Sequence, residues 1–407
     1  MTNIKPRIHI VGAGFSGLSV AYLLSQYKMF DIIVYEKNLH IGGMLKSLTK
    51  EGLLIESGAN SILCTDETLQ FLKEIGVQCV FPLKTAKRRY FFRNRVTRWP
   101  LSLIETIAFI PRVIFHLVTR KSFIKFTPKQ TVAEWAQKYF GFAFTKYLLS
   151  PALQGIYAVP AQHLNAENIF GHLLKPKSEK YKGIVSGKTG MGEIIKCLEQ
   201  KCLSQDVKIL TGEIYDFSLP HDIVIVATSA QDAARTVMLQ NKFLGAELEK
   251  IKMNHVVSVT CQVDDTTRPR GFGCLIPETA ETRCLGVLFN SDIFENRIQS
   301  NASNETYIFS NQEAENINQL QSDQLKNYME KTREIIFKTR TPIENIYKSY
   351  WPDGLPIYDH VLAHFQNQFV TPKNNIYLHG NYVAGIGLSK IIKNSYDISN
   401  QIKKAYS

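Results

Sequence analysis

Between Arg7 and Lys37 the chain runs RIHIV, GAGFSG, LSVAYLLSQ and, after a short break, DIIVYEK. An apolar strand, a glycine-rich turn, a helix-spaced stretch and a second apolar strand in that order form a βαβ unit, which demands parallel strands with a helical crossover. Gly12, Gly14 and Gly17 make a GxGxxG exactly between strand and helix. The first glycine permits a tight turn, the second lets backbone approach a pyrophosphate, and the third lets helix and strand close up. Glu36 follows Gly17 by 19 residues, at the end of the second strand, where a carboxylate can take ribose hydroxyls. The helix start supplies free N–H groups and partial positive charge. These features together constrain the chain's beginning to a dinucleotide-binding α/β fold.

The choice of dinucleotide falls on FAD over NAD. A second glycine pair, Gly42-Gly43, lies six residues past Glu36, and Gly58 ends the strand LLIESG. Near the other end NIYLHGNYVAGIGL repeats strand, glycine turn and helix, with Gly380 and Asn381 at the turn and Gly387 before the helix. That last helix can point its N-terminus at the pyrimidine ring of a flavin and stabilise its reduced form.

At 407 residues the chain is too long for one core, and 44% hydrophobic with 21% charged residues excludes a disordered or coiled-coil protein. The fold class expected is α/β: a Rossmann-like FAD-binding domain assembled from 1–80, 184–230 and 350–407, a helical basic cap over 81–183, and a small antiparallel substrate sheet within 231–349. The Asn-, Gln- and Ser-rich stretch 290–320 reads as a surface excursion. Seven scattered cysteines without a CxxC pair suit a reducing compartment, and no secretory leader is expected. His360 and His364 lack the glutamate of HExxH, so no metal is expected.

Charge is concentrated. Between Lys84 and Lys129 lie 12 of the 48 Lys and Arg residues and only one of the 36 acids, Glu105, which accounts for +11 of the formal +12. Within that stretch KRRYFFRNRVTRW (87–99) interleaves cations and aromatics, and LSLIETIAFIPRVIFHLV (101–118) is apolar with basic flanks. Glu105, Pro111 and Arg112 interrupt the latter too often for a membrane span, but it suits a helix lying on an anionic surface. No nucleic-acid module surrounds the basic run, so nucleic acid is not an expected partner.

Other segments carry a resemblance. The run GGMLKSLTKEGLLIESGANS (42–61) is similar to the flavin amine-oxidase superfamily. SPALQGIYAVPAQHL (150–164), GMGEIIKCL (190–198), GFGCLIPET (271–279), YWPDGLPIYDH (350–360) and GNYVAGIGLSK (380–390) resemble, in order, the protoporphyrinogen oxidase family. The resemblance implies FAD-dependent oxidation of protoporphyrinogen IX to protoporphyrin IX by three two-electron cycles, with oxygen or a quinone as electron acceptor and no protein acid or base. It implies FAD contacts from Phe15, Ser16, Glu36, Lys37, Met44, Gly58, Ala59 and Asn60, from Val207 beside the adenine, and from Ile386, Gly387 and Leu388 beside the isoalloxazine. It further implies Arg89 as the cation for a substrate propionate, a peripheral position on the inner face of the cell membrane, handover to ferrochelatase, and a homodimer. Lys28, Met44 and Val159-Pro160 depart from the family pattern. The alternatives are coproporphyrinogen III oxidation, a different flavin amine-oxidase-type enzyme acting on an amine or a polyene, and an inactive membrane-surface scaffold that binds no FAD.

Overall fold

The computed structural model describes residues 5–119, 125–171, 181–217, 220–264 and 267–406, with side chains to 114 in the first of these. Arg7–Val11 (β1) and Asp31–Glu36 (β2) pair in parallel, with Phe15–Ser25 (α1) between them. They belong to a five-stranded parallel sheet in the order Lys208–Thr211, β2, β1, Ile223–Val226, Ile376–Leu378. Its centre is apolar on both faces, since helices cover both. One face packs against α1, Asp66–Ile75 (α2) and the helices Gly192–Leu203 and Leu388–Tyr406; the other packs against Val132–Phe140, Ala230–Met238 and His360–Gln368. Strands run outward from β1 on both sides, so the crevice at their carboxyl ends is the natural ligand position. Lys28, between α1 and β2, takes the left-handed conformation (φ 56°) that explains why glycine is usual there.

The second sheet has seven strands: Ile343–Pro356, Met253–Val263, Ser303–Ser310, Gly286–Phe289, Gly273–Leu275, Arg89–Arg93 and Arg95–Thr97. All neighbours are antiparallel except Gly273–Leu275 with Arg89–Arg93. The stretch 81–183 is therefore not purely helical, because it gives this sheet two strands before Leu103–Thr119 (α3) begins. On the outer face Val257, Val259, Cys261, Tyr307 and Phe309 are buried with residues of the helices Asn311–Gln319 and Ser322–Phe337. By the two-residue alternation of strands, Ser258, Thr260, Thr306, Leu275, Phe91 and Arg89 share the opposite face.

The expectation of a surface excursion over 290–320 is overturned. Ser303–Ser310 is an interior strand, and Asn304, Glu305 and Thr306 are fully buried. Polar composition is tolerated because every group finds a partner. Asn304 Nδ2 donates to Leu54 O and Arg297 O, both at 2.8 Å, while Asn290 Nδ2 donates to Asn304 Oδ1 and Thr306 Oγ1.

Candidate active site: a flavin cradle beneath a seven-stranded sheet

Two glycine turns meet at the carboxyl end of β1. Gly42 N–H donates to Ala13 O at 2.9 Å, and Gly14 and Gly42 form a parallel bridge. Gly42 has φ 106°, a conformation that only glycine adopts readily. Gly17 is required by packing: a Cβ there would stand 1.9 Å from Gly12 O. A Cβ on Gly14 would meet only Gly43 Cα, at 3.9 Å, so the protein leaves the space beside Gly14 free. Phe15 sends its ring into the core, leaving its N–H and that of Ser16 at the start of α1 without intrahelical acceptors.

Glu36 is buried at the end of β2. Its Oε2 accepts Ala13 N–H at 3.0 Å, and its Oε1 accepts the backbone and side-chain N–H groups of Asn38 at 3.0 and 2.7 Å. The carboxylate is thus fixed over the glycine turn with acceptor capacity remaining. Lys37 turns elsewhere, its Nζ 2.7 Å from Asp232 in the first turn of the Ala230–Met238 helix.

Val207 does not stand with these groups, which corrects the expectation placed on it. The strand it precedes starts with Lys208 opposite Ile33, while Thr211 stands opposite Glu36. Val207 is buried at the far, amino end. What reaches Glu36 is the segment after the strand: Glu213 N–H donates to Glu36 O at 3.0 Å and Gly212 N–H to Asn38 O at 2.9 Å. A parallel register is not visible in one sequence, so the sequence could not show which end of this strand meets the glycine turns.

The hairpin Ser47–Lys50 and Leu53–Glu56 delivers the next wall. A Cβ on Gly58 would stand 2.4 Å from Met44 O, so Gly58 lets its strand end press against the Met44 backbone. Ala59 and Asn60 follow, partly exposed, and Asn60 Oδ1 is buried without a partner among the described residues. Ser57 O accepts Trp351 Nε1 at 2.6 Å and Ser258 Oγ at 3.3 Å, which joins this wall to the seven-stranded sheet.

Sequence reasoning missed Glu56, whose carboxylate accepts Ser47 Oγ at 2.6 Å and Met191 N–H at 2.9 Å. Burial pushes its carboxyl up to about 7, although Ser47, Met191 N–H and the nearby Arg297 pull the other way. A raised folded value over an ordinary 4.5 means stability present below pH 4.5 and lost as pH rises through about 7. Glu56→Gln should therefore flatten the fall in Tm between pH 5 and 8, a difference of up to ~3 kcal/mol at the alkaline end. Parallel pH–Tm curves for the two proteins would exclude this role.

The last wall follows Ile376–Leu378. His379 is fully buried, its Nε2 2.8 Å from Ser395 Oγ and its Nδ1 2.8 Å from Asn394 Nδ2; burial pushes its pKa down to about 3. The neutral ring ties this strand to the C-terminal helix. Gly380, Asn381 and Gly385 form the turn between them, Ile386 packs on the core beside Tyr382, and Leu388 begins the helix with no acid in its first turn. Free N–H groups and positive helix potential are thus unneutralised there.

Arg89 lies near one edge of the seven-stranded sheet, exposed, its guanidinium 5.1 Å from the Phe272 ring centre. Arg93, four residues on, is held by Glu105 at 2.5 Å and lies 3.8 Å from the Tyr147 ring centre.

An open glycine crossing, a fixed ribose-level carboxylate, an orphaned Asn60 oxygen and an acid-free helix start suit a long, anionic dinucleotide, and the chain is an FAD-dependent oxidoreductase. The family model for flavin containing amine oxidoreductase matches residues 15–388, and the chain belongs to that family. It is 23% identical to protoporphyrinogen oxidase 2 of Arabidopsis thaliana over 95% of this chain and 91% of that protein. It is 28% identical to coproporphyrinogen III oxidase of Staphylococcus aureus over 50% of this chain and 52% of the relative. A protein from Exiguobacterium sp. 255-15, provisionally named a protoporphyrinogen oxidase, superposes with a TM-score of 0.78 at 16% identity, covering 99% of both chains.

Proposed function

We propose that this enzyme oxidises protoporphyrinogen IX to protoporphyrin IX, bound between the inner face of the seven-stranded sheet and the flavin cradle. The observation that carries the reading is the end-to-end similarity to a protoporphyrinogen oxidase, which spans sheet, cap and cradle alike. Bound FAD would supply the hydride acceptor; the chain's task is to bind and orient the macrocycle. Arg89 suits a propionate: it is exposed beside an aromatic ring, and no carboxylate among the described residues pairs with it in the structure.

The test is anaerobic mixing of the FAD-loaded protein with protoporphyrinogen IX while flavin absorbance and porphyrin fluorescence are followed together. Flavin bleaching as fluorescence rises is the expected result; a flavin that stays oxidised would remove the assignment. Arg89→Ala should raise KM about 10-fold with FAD content unchanged, the order expected for one partly exposed charged contact. An unchanged KM would take Arg89 off the substrate.

Coproporphyrinogen III is the second reading, favoured by the similarity to the Staphylococcus aureus enzyme. Arg88, Arg95 and Arg98 are exposed cations near Arg89 that suit two further propionates. Running both substrates in the same assay separates the readings by kcat/KM.

The enzyme, on this proposal, works at the anionic inner face of the cell membrane. Leu103, Ile104, Ile107, Ile110 and Ile114 of α3 follow helical spacing and are exposed, at 77%, 81%, 60%, 47% and 55%. Phe142 is exposed as well, and Arg95, Arg98 and Arg112 stand exposed around them. Among the described residues no helix is long and apolar enough to cross a membrane, so attachment would be by this face. Arg120 and Lys121 of the basic run lie outside the described residues. Changing Arg112, Lys125 and Lys129 to Gln should weaken partitioning onto vesicles rich in anionic lipid roughly 10- to 100-fold at low salt, less at high salt. Equal partitioning of variant and parent would defeat the membrane reading.

A further inference from the structure

The two halves of the protein meet along the hairpin Ser47–Lys50 and Leu53–Glu56. The seven-stranded sheet, with the loop that precedes its Ser303–Ser310 strand, holds this hairpin at several points. Tyr347 Oη donates to Glu51 Oε2 at 3.2 Å, Gln299 N–H to Gly52 O at 3.0 Å, and Asn304 Nδ2 to Leu54 O at 2.8 Å. The last point is Ser57 O, which takes two donors at once, Trp351 Nε1 at 2.6 Å and Ser258 Oγ at 3.3 Å. Tyr347, Ser349 and Trp351 alternate along one strand, and Ser349 stands opposite Ser258, so all four share the inner face of the sheet.

A planar trans peptide points its C=O and its N–H in opposite directions. With Ser57 O fixed on the sheet side, Gly58 N–H is turned away from the sheet, and among the described residues nothing accepts it. Gly58 is partly exposed, so this donor can be reached from outside the protein. Its neighbours indicate what runs alongside it. Gly58 presses on the backbone of Met44, one residue past the Gly42-Gly43 turn. Four residues on, the strand Ile62–Leu63 contacts the Leu388–Tyr406 helix. The segment 58–63 therefore leads from the turn that receives the pyrophosphate to the C-terminal helix, the span that the ring system of FAD has to cover in this cradle.

We propose that Trp351 is a positioning residue for the flavin: by holding Ser57 O, its indole aims Gly58 N–H at the isoalloxazine, where the donor favours the reduced ring. The proposal rests on the flavin cradle described above and is independent of which substrate the enzyme takes. Reduction adds electron density to the ring, so a fixed N–H meets more negative charge after reduction than before it, and hydrogen bonds to charged groups are the stronger ones. A carbonyl held by two donors also keeps its peptide from rotating, so the N–H is aimed in advance. Because Trp351 belongs to the seven-stranded sheet, the sheet that faces the cradle takes part in tuning the cofactor inside it.

The experiment uses FAD-loaded Trp351→Phe, which keeps an aromatic ring and loses the N–H, and the double variant Trp351→Phe with Ser258→Ala, which frees Ser57 O of both donors. Tyr347→Phe is the control, because it cuts another tie between the same strand and the same hairpin without touching Ser57. Parent and variants are equilibrated anaerobically with a reference dye of known potential. The ratio of reduced to oxidised flavin at one fixed potential is read beside FAD content, visible flavin spectrum and Tm. The expected result is a ratio about 10-fold below parent in the double variant, the scale of one hydrogen bond to a group that gains charge, with an intermediate fall in Trp351→Phe. FAD should stay at one per chain, and the Tyr347→Phe ratio should lie within two-fold of parent. Ratios within two-fold of parent in both Trp351 variants would overturn the proposal. An equal shift in Tyr347→Phe would overturn it too, by making the effect a general loosening of the hairpin. Loss of FAD or of the fold from the Trp351 variants would assign the indole to the stability of the joint and likewise remove the proposal. A parent that takes up no FAD would bring down the cradle itself, a result seen before any variant is compared.

Discussion

Gly14→Glu yields a folded protein that holds no flavin. The two halves of that expectation come from one measurement of space. A Cβ on Gly14 touches nothing closer than Gly43 Cα at 3.9 Å, so the first atom of the new side chain fits the protein. The rest projects into the opening between the Gly12–Gly17 and Gly42-Gly43 turns, where the N–H groups that begin α1 await phosphate. A carboxylate there fills the position and repels the ligand's own charge. Size-exclusion elution and far-UV circular dichroism should match the parent, while flavin absorbance of the purified protein falls to background. Gly17→Ala is the control with the opposite fault. Its Cβ would stand 1.9 Å from Gly12 O, so α1 must leave β1 and the fold itself weakens. Stoichiometric flavin in Gly14→Glu would mean that the pyrophosphate runs elsewhere.

Glu305→Ala should be among the most destabilising single changes available in this chain. Glu305 is fully buried and accepts Arg268 Nε at 2.6 Å and Arg333 Nε at 3.1 Å, with Tyr307 Oη at 2.6 Å. Arg268 also reaches Asp292 at 2.8 Å. Burial would raise the Asp292 carboxyl, yet Arg268 and Arg270 outweigh it and hold it below the usual range. Removing Glu305 strips both buried guanidiniums of a counter-charge and empties space beside Tyr307. Breaking a buried pair by removing one partner costs ~3–5 kcal/mol, and here two cations lose a partner, although Arg268 keeps Asp292. Chemical denaturation should show a loss of at least ~4 kcal/mol. The triple change Glu305→Leu, Arg268→Met and Arg333→Met should recover much of it, because the charges that paired with Glu305 go together and Asp292 keeps Arg270. A loss under ~1 kcal/mol for Glu305→Ala would show that the network carries little stability.

These two sites differ in how much of them a reader of the sequence could see. The crossing at Gly14 was half visible: GxGxxG between strand and helix, Glu36 at its distance, and Gly42-Gly43 soon after all announce a dinucleotide cradle. The network at Glu305 was invisible, and its neighbourhood was misread as a surface excursion. Asn304, Glu305 and Thr306 look solvent-seeking one residue at a time, and it is partners such as Leu54, Thr260, Arg268 and Arg333, brought from distant segments, that make their burial favourable.

The N-terminal βαβ unit, its ligand class and the family could be settled along the chain, because their signals are local: strand and helix periodicity, glycines at fixed spacing, and an acid at a strand end. Positions that depend on register or on long-range packing could not. Val207 and Glu213 flank the same short strand, and only the pairing of Thr211 with Glu36 decides which end meets the cradle. Arg89 and Arg93 belong to one basic run, yet Glu105 takes Arg93 and leaves Arg89 exposed. Gln154 reads as an ordinary polar residue in a helix, yet its amide is buried with no partner among the described residues. Tertiary structure decided these points because burial, pairing and register are properties of segments that meet only after folding.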